Sequence, residues 1–564
     1  MHSEMQPIYL DYAATTPVDE RVAQAMWPWL TEHFGNPASS HAWGSKARQA
    51  VESARHHVAA LVGAQPEGVI FTSGATEAIN LAIKGRARFA AGGRKHLVTL
   101  ATEHQAVLAS CRALQREGYR VIHAPLLPTG EIDMDAMKVL LDERVLLLSV
   151  AHVNGELGII HPIAQLADWC HQRDIAFHVD AAQSLGKLPM DMSALGIDYL
   201  SFSGHKIYGP KGAGGLVVRR QPGPGLQPLL DGGGQEGGLR GGTLATHQIV
   251  GLGEAARLAL QALPDEPLRL ASWRERMWSI LSSQPDVTRH GSLQHTAPHI
   301  LSVALLGIDA SSLLYAIPQL ALSRGSACAN FHGGTSHVMR ALGMAPEVMR
   351  ATVRLSFGRP TTSDEVEQGA CWLVEALQWL RTRSPAPQGK AKTYQTMPVA
   401  QHPTRSLEWQ PIGEGDQLSR GQGTSPGAMN EYFFSDDHVA WVFESTMAQG
   451  EAGSVQEGRV RFGLTVNGQD QVMQVGYQAE GPPELLAAAS LLAEQVEGLP
   501  LEALAGLLGT AWHAPLGLTG QQVYMAFLAE EALHRAWDAV KERQDNPGAV
   551  SHLGQDMIRY RSRG

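Results

Sequence analysis

From residue 1 to about 384, short apolar runs alternate with stretches of helical periodicity, and that alternation leaves few folds open to the chain. Gly68–Thr72, His96–Leu100, Val145–Val150 and Ile175–Val179 read as strands; Ala47–Leu61 and Glu77–Phe89 carry apolar residues at helical spacing. Strands that alternate with helices imply an α/β fold, with a mainly parallel sheet covered on both faces. Such sheets take ligands at the carboxyl ends of their strands. The residues just after each strand are therefore where chemistry is expected. The glycine-rich stretch Asp231–Gly238 breaks the alternation and reads as a mobile loop.

The pattern ends at Ser384. Residues 385–428 are rich in Pro, Gly, Gln and Ser and lack apolar periodicity, which predicts a flexible linker. A coil of that length spans roughly 35–40 Å in root-mean-square terms. A second folded region is expected over 429–564. Within it Val460–Val466 and Val472–Tyr477 flank Asn467-Gly468, a hairpin signal. Helices are predicted over about 484–495 and 521–543, and the tail from Asp545 is expected to fray.

Composition removes several classes of function. The chain has 564 residues, and its net charge of −10 is not gathered into runs. That argues against nucleic acid as a partner. The four cysteines, Cys111, Cys170, Cys328 and Cys371, have neither zinc-site nor disulfide spacing. A reducing, cytoplasmic setting is expected. The N-terminus shows no basic-then-apolar leader, and no apolar run approaches the roughly 18 residues that a membrane span needs.

Two positions suggest a reaction. Lys206, in Ser203-Gly204-His205-Lys206, follows an apolar run and has cationic neighbours, as a Schiff-base lysine requires. Cys328, in Ser323-Arg324-Gly325-Ser326-Ala327-Cys328, sits in a polar, glycine-containing stretch where a thiol can be a nucleophile. Cys111, Cys170 and Cys371 lie in helical patterns and read as ordinary packing residues. Ser73-Gly74-Ala75-Thr76-Glu77 joins a strand to a helix, and its small residues let backbone N–H groups meet an anion at the helix N-terminus. An ordinary capped helix is the plainer reading of that segment. Ser203 and His205 can add phosphate donors. Asp180 ends a buried strand, and a carboxylate there needs a cation; a protonated pyridine nitrogen would serve. Gln183 and Asn154 can reach the ring's phenolic oxygen, and His104 can stack on the ring and move protons. Arg354 lies among apolar residues. It either pairs with an internal carboxylate or clamps the carboxylate of a substrate.

These residues resemble a known family. Residues 7–384, from Ile8-Tyr9-Leu10-Asp11-Tyr12-Ala13-Ala14-Thr15-Thr16-Pro17 through the Lys206 and Cys328 motifs, are similar to the pyridoxal-phosphate cysteine desulfurases of the IscS/NifS type, within the class V aminotransferase fold. The resemblance implies a fold-type-I transferase, with a large domain over about 16–260 and a small one from 1–15 and 261–384. It implies that Lys206 carries pyridoxal 5'-phosphate, Asp180 faces the ring nitrogen and His104 stacks on the ring. Ala75, Thr76, Ser203 and His205 would hold the phosphate, and Thr243 would reach the phosphate of the other subunit of a homodimer. Arg354, with Asn154, would bind L-cysteine. Cys328 would take its sulfur as a persulfide, release alanine and pass the sulfur to an acceptor such as an iron–sulfur scaffold or a sulfur carrier. The segment around Cys328 resembles the long mobile-loop subgroup, but the residues after it depart from that subgroup's usual pattern. No resident metal is implied.

The C-terminal region resembles a scaffold of the IscU/NifU N-terminal type. The support is Phe434–Val439, the hairpin, Ser490–Gly498 and Leu528–Leu533. Gln456 or Glu457, Pro482 and Met525 stand where cluster cysteines belong, and Arg459 where an assisting Asp belongs. No cysteine lies beyond residue 371, so the region is expected to dock or regulate rather than hold a cluster. Selenocysteine lyase, another class V reaction, or a mainly protein-binding trafficking role are the alternatives.

Overall fold

The computed structural model describes residues 7–90, 93–219, 225–292, 294–324, 336–383, 448–454, 458–467, 470–480, 483–503 and 522–545. The predicted linker, Phe434–Val439, the tail beyond residue 545 and Cys328 lie outside these residues. The chain divides into two compact units, Met1–Leu380 and Arg381–Gly564. The division falls within the last turn of the helix Ser363–Arg383.

Fifteen strands form in chain order among the described residues. The first unit holds β1 (Ile8–Tyr9), β2 (Val69–Thr72), β3 (His96–Thr99), β4 (Arg120–His123), β5 (Val145–Ala151), β6 (Ala176–Asp180), β7 (Tyr199–Ser203), β8 (Gly214–Val218), β9 (Val287–Arg289), β10 (Ile300–Leu305), β11 (Leu320–Ala321) and β12 (Thr352–Ser356). Seven of these make one sheet in the order β2-β8-β7-β6-β5-β3-β4. β8 runs antiparallel to both neighbours and the other adjacent pairs are parallel. The expected parallel sheet is present, with one reversed strand.

Successive residues on these strands feed two different cores, as strand alternation requires. Phe71, Leu148, Phe177 and Leu200 join the core beneath the helices Ala42–Val62 and Thr246–Ala262. Ile70, Leu147, Ala176 and Tyr199 join the core beneath Ala75–Phe89 and Gln105–Arg116. Continuous apolar runs were therefore a true sign of strands covered on both sides. The helices Ala42–Val62 and Thr246–Ala262 cross closely, because a Cβ on Gly253 would lie 2.5 Å from that of Ala54. One polar trio is buried in the sheet. The Ser149 and Ser201 hydroxyls lie 2.8 and 3.0 Å from the two ring nitrogens of His178. Burial pushes His178 down to about 3, so it is a neutral packing residue.

The glycine-rich segment differs from expectation. It is pinned rather than loose. The Glu236 carboxylate, with its side chain 1% exposed, takes two hydrogen bonds from Arg55 at 2.8 and 3.0 Å and one from the Phe71 N–H at 2.7 Å. Glycines read as freedom in the sequence; a buried ion pair to Arg55, 181 residues earlier, supplies the constraint.

A smaller sheet, β12-β10-β9, and the two-stranded pair β1-β11 complete the unit. The chain's first strand thus pairs with a segment more than 300 residues later, in parallel register Ile8↔Leu320.

The second unit has β13 (Ala448–Ser454), β14 (Gly458–Val466) and β15 (Val472–Glu480) in an antiparallel sheet, with the helices Pro483–Val496 and Gln522–Asp545. Val460, Phe462 and Leu464 point into a core with Leu485, Leu492 and Leu533. Arg459 and Arg461 alternate outward and reach Glu451 on β13. The predicted hairpin and both helices form. β13 was not foreseen.

Candidate active site

The parallel strands end on one edge of the large sheet, and the predicted site residues follow those ends. Ala75 and Thr76 begin the helix after β2. His104 caps the helix that follows β3. Asn154 comes three residues after β5, Asp180 is the last residue of β6, and Lys206 closes the turn after Ser203, the end of β7. A cavity of about 610 Å³ is lined by all of these, with His205, Gln183 and Arg354. Thr243 is not among them; it lines a separate hollow of about 450 Å³ beside Arg55 and Glu236. Cys328 falls in 325–335, outside the described residues, and the chain on either side of that gap is placed. Ser323 bridges to Arg354 through both backbone hydrogen bonds, at 2.7 and 3.2 Å, and His337 lines the cavity.

At one end the site is built to meet an anion. Gly74 precedes the helix Ala75–Phe89 at φ 154°, ψ −179°, a conformation only glycine holds without strain, and no side chain caps the helix. A Cβ at Gly74 would approach the Ser203 hydroxyl at 3.4 Å. Among the described residues nothing accepts from the Ala75 or Thr76 N–H groups. Bare first-turn donors, a hydroxyl and the helix dipole suit a phosphate. His205 joins as a neutral ring: burial, with Lys206, Lys211 and Lys187, pushes it down to about 4, and its Nδ1 lies 3.1 Å from the Thr15 hydroxyl.

At the other end are the acids. Asp180 is buried and accepts the Ala182 N–H at 2.9 Å; burial raises its pKa, while His104 and Lys206 pull it back down. Among the described residues no cation hydrogen-bonds this carboxylate, and a protonated pyridine nitrogen is a partner it fits. His104 accepts the Ala106 N–H on Nδ1 at 3.1 Å, so the neutral ring carries its proton on Nε2. Burial holds its pKa below the usual value.

Lys206 Nζ donates to the Ala13 carbonyl, which also accepts from Gln183 Nε2 at 2.9 Å. Gln183 thus keeps one N–H for a ring oxygen, and its Oε1 is buried without a partner among the described residues. Asn154 is more committed than its sequence position suggested. Its Nδ2 donates to the Thr102 carbonyl at 3.0 Å and its Oδ1 accepts from the Glu156 and Leu157 N–H groups. Arg354 meets the first of its two readings, the pairing with an internal carboxylate. It pairs with Asp11 at 2.7 Å and donates to the Gly155 carbonyl at 2.8 Å, yet it lines the cavity and its Nε is buried without a partner among the described residues.

Known proteins share this fold. Residues 8–368 match the family described as aminotransferase class-V, and residues 429–547 match the NifU-like N-terminal domain. The chain belongs to the aminotransferase class-V family. A curated class-V relative, cysteine desulfurase IscS of Edwardsiella ictaluri, is 48% identical over 382 residues, 67% of this chain and 95% of its own length. Among solved structures, a NifS-like protein superposes with a TM-score of 0.62 at 32% identity, over 66% of this chain and all of its own. A second, titled SspA in complex with cysteine, gives 0.57 at 36% identity over 62% of this chain and 98% of its own.

Within this class-V site, two acids went unread in the sequence. Glu103 is 1% exposed; its Oε1 accepts the Ala151 N–H at 2.9 Å and its Oε2 is buried without a partner among the described residues. Burial, with Asp180 nearby, raises it to about 8. Glu156 is 3% exposed and also lines the cavity. A glutamate in a loop reads as solvated; the only available signal was that each sits within two residues of a chosen site residue at a strand end.

Proposed function

We propose that the chain is a pyridoxal-phosphate-dependent cysteine desulfurase, which converts L-cysteine to L-alanine and holds the sulfur as a persulfide on Cys328. The observation that carries this reading is the convergence of Lys206, Asp180, His104 and Arg354 on one cavity beside an uncapped helix N-terminus. Lys206 would hold the cofactor aldehyde, and Ala75, Thr76, Ser203 and His205 would hold its phosphate. Asp180 keeps the ring nitrogen protonated. The cofactor, when bound, supplies an electron sink for the electrons left at the substrate's Cα. Arg354 would orient the substrate carboxylate, Lys206 would exchange the Cα proton, and His104, with its proton on Nε2, would move protons beside it. The Cys328 thiolate attacks the substrate sulfur. The C–S bond breaks as the S–S bond forms, and the three-carbon fragment takes up protons to leave as alanine.

The similarity to cysteine desulfurase IscS supports this reading, as does that to SspA in complex with cysteine. Thr243, away from its own chain's cavity, fits a homodimer in which it serves the partner's phosphate. The C-terminal unit serves as a docking or regulatory module for sulfur delivery to a scaffold or carrier. It has no cysteine, and Arg459, where an assisting acid is expected, is engaged with Glu451 at 3.6 Å. Among the described residues no helix is long and apolar enough to cross a membrane. The test is Lys206→Ala: alanine production should fall by orders of magnitude, and reductive labelling of the bound cofactor onto the chain should disappear. Normal alanine production would remove the assignment.

A further inference from the structure

The turn Asn154-Gly155-Glu156 touches several parts of the site. Asn154 shapes it by accepting the Glu156 N–H on its own side chain at 3.0 Å and by donating to the Thr102 carbonyl, two residues before His104. The Gly155 carbonyl takes a hydrogen bond from Arg354 at 2.8 Å. A Cβ on Gly155 would sit 3.3 Å from the Gln183 amide, so the turn also packs on that side chain. Glu156 lines the cavity as well. Its carboxylate Oε2 accepts the Ser336 hydroxyl.

Ser336 is the first described residue after 325–335. Its hydroxyl oxygen also accepts the Met339 N–H at 3.2 Å, capping the helix His337–Ala341. Next to it, His337 lies with Nε2 2.9 Å from the Glu103 carbonyl. Ser336 and His337 are therefore fixed at the cavity wall by two hydrogen bonds, one of them to a buried carboxylate that has no ion pair among the described residues. A carboxylate taken from water is expensive to bury, and a charge-assisted hydrogen bond from a hydroxyl is strong and directional. Packing alone would be served better by an apolar pair of the same volume. An acid retained here fixes position.

We propose that Glu156, through Ser336, is a positioning residue for sulfur transfer: it sets where the Cys328-bearing stretch re-enters the fold relative to the arginine that holds the substrate. This rests on the desulfurase reading above. It predicts a separation of two steps. Binding cysteine and exchanging its Cα proton need Lys206, Asp180 and Arg354, and Ser336 touches none of them. Sulfur transfer needs the thiol delivered to the substrate sulfur, and a misplacement of about 1 Å can cost roughly a hundredfold there.

The experiment compares the holoenzyme with Ser336→Ala, Ser336→Thr and Glu156→Gln. Three quantities are read: cofactor absorbance, exchange of the cysteine Cα proton in deuterated water, and alanine formation. Ser336→Ala should keep exchange and cofactor loading within about twofold and lose about tenfold or more of alanine formation, the order that loss of a hydrogen bond to a charged group carries. Ser336→Thr, which keeps the hydroxyl, should restore most of it; Glu156→Gln, which loses the charge, should fall between. Alanine formation unchanged in Ser336→Ala overturns the proposal, and so does a parallel fall in exchange and alanine. If Glu156→Gln does not fold, the two Ser336 variants decide alone. Failure of the desulfurase reading has a different signature: no alanine from the parent enzyme, or full alanine formation by Cys328→Ser.

Discussion

Glu103 holds a proton that the unfolded chain releases, and this makes a stability experiment informative about the site. Its folded-state value is raised from 4.5 to about 8, chiefly by burial. Between those limits the folded protein binds one more proton than the unfolded chain, so stability falls as pH rises, by about 1.4 kcal/mol per pH unit. The contribution is fully present below pH 4.5 and is lost as pH passes through about 8. Glu103→Gln should therefore flatten part of the parent's decline: its thermal midpoint, measured from pH 5 to 8, should gain on the parent as pH rises. Parallel curves would show that Glu103 is ionised in the fold. At this scale the sequence was informative where chemistry follows a strand. Lys206, Asp180, His104 and the Ala75-Thr76 turn were found because apolar runs point at them. Glu103 and Glu156 were not found, because they meet chain segments 234 and 180 residues away, at His337 and Ser336.

Among elements, the sheet was legible for a physical reason: strands covered on both faces are apolar at most positions, and β5 is buried at all seven. The reversal of β8 was not legible, because burial on both faces carries no direction. β13 was missed because Ala448–Ser454, Ala-Gln-Gly-Glu-Ala-Gly-Ser, has no β-branched or aromatic residue; its pairing with β14 and the helix Gln522–Asp545 against it make it a strand. The glycine-rich segment was misread for the complementary reason: Arg55 and Glu236 are 181 residues apart. That pair yields an element-scale prediction. Their side chains are 11% and 1% exposed, so Arg55→Ala leaves a buried acid without its cation. The expected loss is about 3–5 kcal/mol in denaturant unfolding. A loss below about 1 kcal/mol would mean that the segment swings out to water and is not pinned.

For the molecule as a whole, the class-V unit and the NifU-like unit have separate cores. Truncation after Ser384 should leave alanine production with a small-thiol acceptor unchanged and alter sulfur delivery to an added cysteine-bearing scaffold, because tethering raises effective concentration to about the millimolar range. Unchanged delivery would make the C-terminal unit a passenger. The account as a whole depends on where the sulfur goes. The most direct measurement is to give the full chain L-cysteine, quantify alanine, and locate the persulfide by peptide mass after alkylation, in the parent and in Cys328→Ser. The account predicts alanine and a persulfide on Cys328 in the parent, and neither in the variant although it still binds cofactor and cysteine. A persulfide on Cys111, Cys170 or Cys371, or undiminished alanine from Cys328→Ser, would contradict it.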